Sequence, residues 1–141
     1  MSAEEDVRKI SNKFYDALTD MAKGISGKME EIWLHDESVT AMHPIDGRDL
    51  GWTAVKNSFD QVAGIASDGK VELKDQLIRV VGDAAYEIGI ENGQFKLSGN
   101  EVKINQRVTN IYELKDGQWK MIHHHGDISP AMLDVLSKLQ T

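Results

Sequence analysis

The chain has 141 residues and a mass of 15.7 kDa, the length of one domain, and residues 1–141 read as a single domain. Lysine and arginine number 16 against 23 aspartates and glutamates, a net charge of −7 with no basic run, which argues against a nucleic-acid partner. There is no cysteine, so disulfides, thiolate nucleophiles and cysteine metal sites are excluded. The polar, acidic start Met1-Ser2-Ala3-Glu4-Glu5-Asp6 is unlike a secretory leader, and no apolar run approaches the ~18 residues of a membrane span. A cytoplasmic protein without a membrane partner is expected.

Residues from about 4 to 22 read as a helix, because Val7, Ile10, Phe14, Ala17, Leu18 and Met21 recur at three- and four-residue steps. The Glu4-Glu5-Asp6 run suits the positive end of that helix's dipole, and Gly24 suits its stop. A short helix is expected from Ser26 to Trp33, then a brief strand from Ser38 to His43 ended by Pro44 and the Asp46-Gly47 turn. Trp52, Val55, Phe59 and Val62 mark a third helix from about Gly51 to Ala66. Strands follow at about 70–81, 84–97, 101–114 and 118–125. Asp116-Gly117 is a hairpin turn in which both central positions favour positive φ. Within 84–97 the apolar set Ala84, Tyr86, Ile88, Ile90 changes parity to Phe95 and Leu97; a bulge at Asn92-Gly93 or a true hairpin there explains the change. A last helix starts near Pro130. Helices followed by a run of antiparallel strands give an α+β fold, a curved antiparallel sheet wrapped around N-terminal helices as a cone with an internal pocket.

These residues fall in a familiar order: the amphipathic first helix, a short helix ending in Ile32-Trp33-Leu34, and Val39-Thr40-Ala41-Met42-His43-Pro44. A Gly47-Arg48-led helix, meandering strands and Asp116-Gly117-Gln118-Trp119-Lys120-Met121-Ile122 before three histidines complete it. The chain resembles the SnoaL-like, nuclear transport factor 2-like superfamily, which includes ketosteroid isomerase. The segment from Arg107 to His125 is also similar to the association domain of calcium/calmodulin-dependent kinase II. The resemblance implies a fold that hosts isomerases, dehydratases, epoxide hydrolases and assembly modules. Against ketosteroid isomerase, the helix tyrosine falls on Phe14, with Tyr15 one residue off. The general base falls on His43, matched through His43-Pro44, and the second acid of the oxyanion hole falls near Thr109 or Asn110. All three positions depart from that pattern, so steroid isomerisation by that mechanism is not expected.

The run His123-His124-His125 is the sharpest local feature. Strand alternation puts His123 and His125 on one face with Trp119 and Met121, beside Val108, Asn110, Tyr112 and Leu114 of the paired strand. That face is the more apolar and is placed inward. His124 and Ile122 fall on the other face with Arg107, Thr109, Ile111, Glu113 and Lys120. His123, His125 and His43 are the candidate catalytic residues, as general acids or bases near neutral pH, with a buried structural histidine or a turn histidine as the competing reading. Trp33, Trp52, Tyr86, Asn110 and Tyr112 are candidate ligand-binding residues, the aromatics competing with a plain core role. His-x-His with His43 could hold a metal, but no carboxylate stands at ligand spacing, and neither a metal nor another cofactor is expected. No Gly-x-Ser-x-Gly elbow or phosphate-binding glycine loop occurs. Two functions remain open: a small-molecule binding protein or enzyme of isomerase, dehydratase or hydrolase type, and a non-catalytic association module. A small organic ligand and a homodimer built on Arg107, Thr109, Ile111 and Ile122 are the expected partners.

Overall fold

The computed structural model describes residues 2–139. Helix α1 (Ala3–Ala22) is capped by Ser2, whose hydroxyl accepts from the Glu5 N–H at 3.2 Å. A single 3-10 turn (Lys28–Glu31) replaces the expected second helix. Then come β1 (Thr40–Met42), the two-residue β2 (Asp49–Leu50) and α2 (Trp52–Ala63). Four long strands follow, β3 (Ala66–Val81), β4 (Ala84–Leu97), β5 (Asn100–Lys115) and β6 (Gln118–Gly126), before α3 (Pro130–Leu139). The strands form one sheet in the order β2-β1-β6-β5-β4-β3. Every pairing is antiparallel except β1 with β6. The helices lie on the concave side, where Phe14 meets Tyr15, Trp33 and Phe59 edge-on at 5.1–6.5 Å between ring centres. Among the described residues no helix is long and apolar enough to cross a membrane.

The curvature comes from extra residues in particular strands. Opposite β4, β3 carries two register shifts, between Ser67 and Lys70 and between Lys74 and Leu77. Asp68 and Asp75 sit at these bulges with φ of +54° and +55°, a conformation aspartate tolerates better than most side chains. Asp68-Gly69, just before the strand expected from about 70, is thus a bulge inside a strand that begins at Ala66. The bulge expected at Asn92-Gly93 is absent: β4 pairs with β5 in one unbroken register from Ala84↔Glu113 to Leu97↔Asn100. The inward side of β4 is therefore Ala85, Glu87, Gly89, Glu91, Gly93, Phe95 and Leu97. Tyr86 and Ile88 are exposed on the convex side. The apolar alternation in the first half of β4 marks the outer face.

Gly89 and Gly93 make the bend possible. A Cβ at Gly89 would lie 2.7 Å from Leu73 Cδ1 and 2.9 Å from the Lys74 carbonyl oxygen, and one at Gly93 would overlap the Lys70 carbonyl. β3 thus folds over the inner side of β4 only because two positions there lack side chains. Gly93→Ala should destabilise the chain by ~1–3 kcal/mol, the usual cost of overpacking. Chemical denaturation reads this directly, and an unchanged midpoint would contradict the close approach.

Candidate functional site

The unbroken register of β4 carries two carboxyl groups into the core, Glu87 and Glu91, at 0% and 2% exposure. A buried carboxyl group is tolerated only if donors surround it. Glu87 has four: Ser11 Oγ donates at 2.6 Å and Gln76 Nε2 at 2.6 Å to Oε2, and Asn110 Nδ2 at 2.9 Å and Tyr112 Oη at 2.7 Å to Oε1. Gln76 in turn accepts from Arg8 at the surface. Glu91 has two: Gln106 Nε2 donates at 3.0 Å to Oε1, and Tyr15 Oη at 2.9 Å to Oε2. Burial pushes the Glu91 carboxyl up to about 7, opposed by the Gln106 and Tyr15 bonds and reinforced by the charge of Glu87. Burial also holds Tyr15 and Tyr112 well above the ordinary phenol range, so both remain donors.

Asn110 ties this cluster to a histidine. Its Nδ2 donates to Glu87 and, at 3.0 Å, to Tyr15 Oη, so its Oδ1 is the acceptor facing His124 Nδ1 at 2.6 Å. His124 must carry its proton on Nδ1, which leaves Nε2 as a bare lone pair. That nitrogen lies 3.9 Å from Glu91 Oε2, too far for a hydrogen bond. Burial holds the ring well below the usual histidine range, helped by repulsion from His43, His123 and His125.

Glu91, His124, Gln106 and His43 meet in a cavity of about 50 Å³ whose walls are otherwise mainly apolar, Leu18, Phe59, Val71, Phe95 and Ile104 among them. His43 packs edge-on to Phe59 at 4.9 Å and its ring centre is 6.1 Å from that of His124. Its Nε2 is 2.9 Å from Asp49 Oδ2 but out of line for a hydrogen bond. Burial lowers its pKa, offset by the Asp49 carboxylate. Gln106 Oε1 is buried without a partner.

The expected convergence of His43, His123 and His125 does not occur. β6 has one extra residue at Ile122: Tyr112 pairs with Met121, but Ile111 pairs with His123. Trp119 and Met121 point inward as expected, and the bulge then reverses parity so that His124 points inward instead of its neighbours. His123 lies on the convex side, its Nδ1 2.7 Å from Thr40 Oγ1, and burial lowers its pKa. His125 is exposed there, its ring 6.1 Å from that of His123. Asn110 and Tyr112 are inward as expected, though behind the cavity wall. Trp33 is in the core, Trp52 is half-buried with its ring stacked on His35 at 4.5 Å, and Tyr86 is on the convex face; none of the three lines the cavity. Among the described residues no group of three or more metal-ligating side chains comes together.

The family model of the SnoaL-like domain matches residues 7–132. The chain belongs to the SnoaL-like domain family. No curated protein matches this SnoaL-like sequence. Among solved structures it is similar to a candidate dehydratase of the NTF2-like family from Streptomyces avermitilis, at 23% identity and a TM-score of 0.78 over 91% of this chain and 96% of that one. It is similar to an NTF2-like superfamily protein from Salmonella enterica serovar Typhimurium, at 16% identity and a TM-score of 0.78 over 89% and 90%. A CaMKII hub from S. rosetta matches at 19% identity and a TM-score of 0.71 over 90% and 97%. At these identities the likeness is one of fold.

Within this SnoaL-like domain, Tyr15 supplies the hydroxyl that Phe14 cannot, and Asn110 holds a histidine. Glu87, Glu91, Gln106 and His124 were not anticipated. The parity of Phe95 and Leu97, continued back along β4 without a bulge, leads to Glu91 and Glu87 and was the available signal. Glu91 holds its proton more tightly folded than unfolded. Its contribution to stability is therefore full below the unfolded value of 4.5 and is lost as pH rises through about 7. The span is worth ~3 kcal/mol. His124 works the other way, losing stability as pH falls below 6.5. Glu91→Gln should therefore lose stability relative to wild type at pH 5 and recover most of that loss at pH 8. Thermal unfolding at both values checks this, and a difference independent of pH would refute it.

Proposed function

We propose that this SnoaL-like domain binds a small organic molecule inside the cone and handles a proton on it through Glu91 and His124, as an isomerase, dehydratase or hydrolase would. One observation carries the reading: a carboxyl group with a pKa of about 7 and the bare Nε2 of a neutral histidine lie 3.9 Å apart on the wall of one mainly apolar cavity. A group that titrates near neutral pH can both give and take a proton there. His124 accepts a hydrogen bond from the molecule, in an orientation fixed by Asn110, and Glu91 gives or receives the proton. His43 lines the same wall as a third polar group.

The test is a methyl-detected NMR titration with small alcohols, ketones, amines and carboxylates. Shifts should concentrate at Leu18, Val62 and Ile104, and Ile104→Phe should abolish them by filling the cavity. His124→Gln should weaken binding by ~2- to 13-fold, the value of one hydrogen bond to a neutral group. His125→Ala should leave binding unchanged, since that ring is on the other face. Shifts confined to the convex face would overturn the reading.

The convex face supports a second reading, self-association. Tyr86, Ile111 and His123 are in direct register across three strands, as are Ile88, Thr109 and His125, and Tyr86 and Ile88 are 42% and 43% exposed. A two-fold pairing would cover this band with its own copy. Light scattering should give twice the chain mass at micromolar concentration, and Ile88→Glu should give monomers. A monomeric wild type would rule out the homodimer.

A further inference from the structure

Three acceptors on the cavity wall await a donor. Gln106 Oε1 is buried and unpartnered, its amide nitrogen already committed to Glu91. His124 Nε2 is bare because Nδ1 holds the proton. Each Glu91 oxygen accepts one bond and has a further lone pair. Gln106, Glu91 and His124 are 6%, 2% and 2% exposed, so water does not serve them from outside. The 3.9 Å between His124 Nε2 and Glu91 Oε2 is too long for direct bonding and short enough for one donor atom to bridge.

The charge of the interior is one-sided. Two carboxyl groups are buried, while among the described residues no lysine or arginine is buried and none lines the cavity. An anionic ligand would find no counter-charge there. A hydroxyl brings one donor proton to three acceptors. A primary ammonium brings three donors on one atom together with the missing positive charge. Phe59 and Phe95 supply aromatic wall of the kind that attracts a cation. A cavity of about 50 Å³ has room for roughly four water-sized groups.

We propose that the cavity selects a small aliphatic primary ammonium, seated between Gln106 Oε1, His124 Nε2 and the Glu91 carboxylate. This rests on the cavity being the binding site. The groups facing Glu91 are Tyr15 from α1, Glu87 from β4, and His124 with His43 from the β6 and β1 side. Tyr15 stays a neutral donor and burial holds both histidines below the usual histidine range, so Glu91 sets the pH response. Binding then needs the ionised carboxylate and displaces its proton.

The experiment titrates the full chain with n-propylammonium, n-propanol and propanoate, probes of equal length, by NMR at pH 6 and pH 8. The ammonium should bind at least tenfold tighter than the alcohol at pH 8, and propanoate should not bind. Ammonium affinity should rise roughly tenfold from pH 6 to pH 8, following ionisation of a group near 7. Glu91→Gln should abolish the ammonium preference and leave propanol binding in place. The wild-type comparison stands on its own if that variant folds poorly. Equal or tighter binding of propanol or propanoate, or ammonium affinity independent of pH, would overturn the ammonium assignment and leave the cavity reading intact. Failure of all three probes to shift cavity methyls would overturn both.

Discussion

The hydrogen bond from Asn110 to Glu87 organises the interior of this cone. Asn110 is fully buried in mid-strand, opposite Glu87 on β4 and His124 on β6. Because Glu87 demands a donor, the amide can present only its oxygen to the histidine. One strand thereby sets the protonation pattern of the next. The other donors to Glu87 come from α1, β3 and β5, so the carboxylate ties the helix to the sheet. Removing any partner would leave a buried polar group unsatisfied. Such a network is costly to assemble and fixes a single arrangement once complete.

The division between Glu87 and Glu91 follows from their neighbours. Glu87 accepts four donors and is sealed behind them. Glu91, four residues on, receives two and opens onto the cavity. Two identical side chains on one face of one strand thus have different roles, the first structural and the second available to a ligand. Gly89 stands between them and gives β3 room to close over both.

Much of the fold could be read from the sequence because helical periodicity and turn chemistry are local. The apolar stripe of α1 and the Asp116-Gly117 turn led to the right elements. The site was harder to read because strand parity is reset by single residues. In β4 the apolar alternation of Tyr86 and Ile88 marks the convex face, so Glu87 between them and Glu91 beyond fall on the side that hydrophobicity does not identify as core. In β6 the extra residue at Ile122 moved the inward position from His123 and His125 to His124. Hydrophobicity identifies a core when the core is apolar, and here half of one inner strand is polar or glycine. His43 and Asn110 face inward as the sequence places them, because neither depends on the parity of a bulged strand.

The same bulge gives the histidine run a property that no single histidine would have. A strand that gains or loses one residue reverses every side chain beyond the change. With three imidazoles in succession, either parity still turns one of them toward Asn110. The inner histidine is thus buffered against insertion or deletion in the β5–β6 hairpin, a frequent kind of change in evolving loops. A lineage carrying this triplet can remodel that hairpin, and the convex surface with it, without losing the imidazole at the centre of the cone.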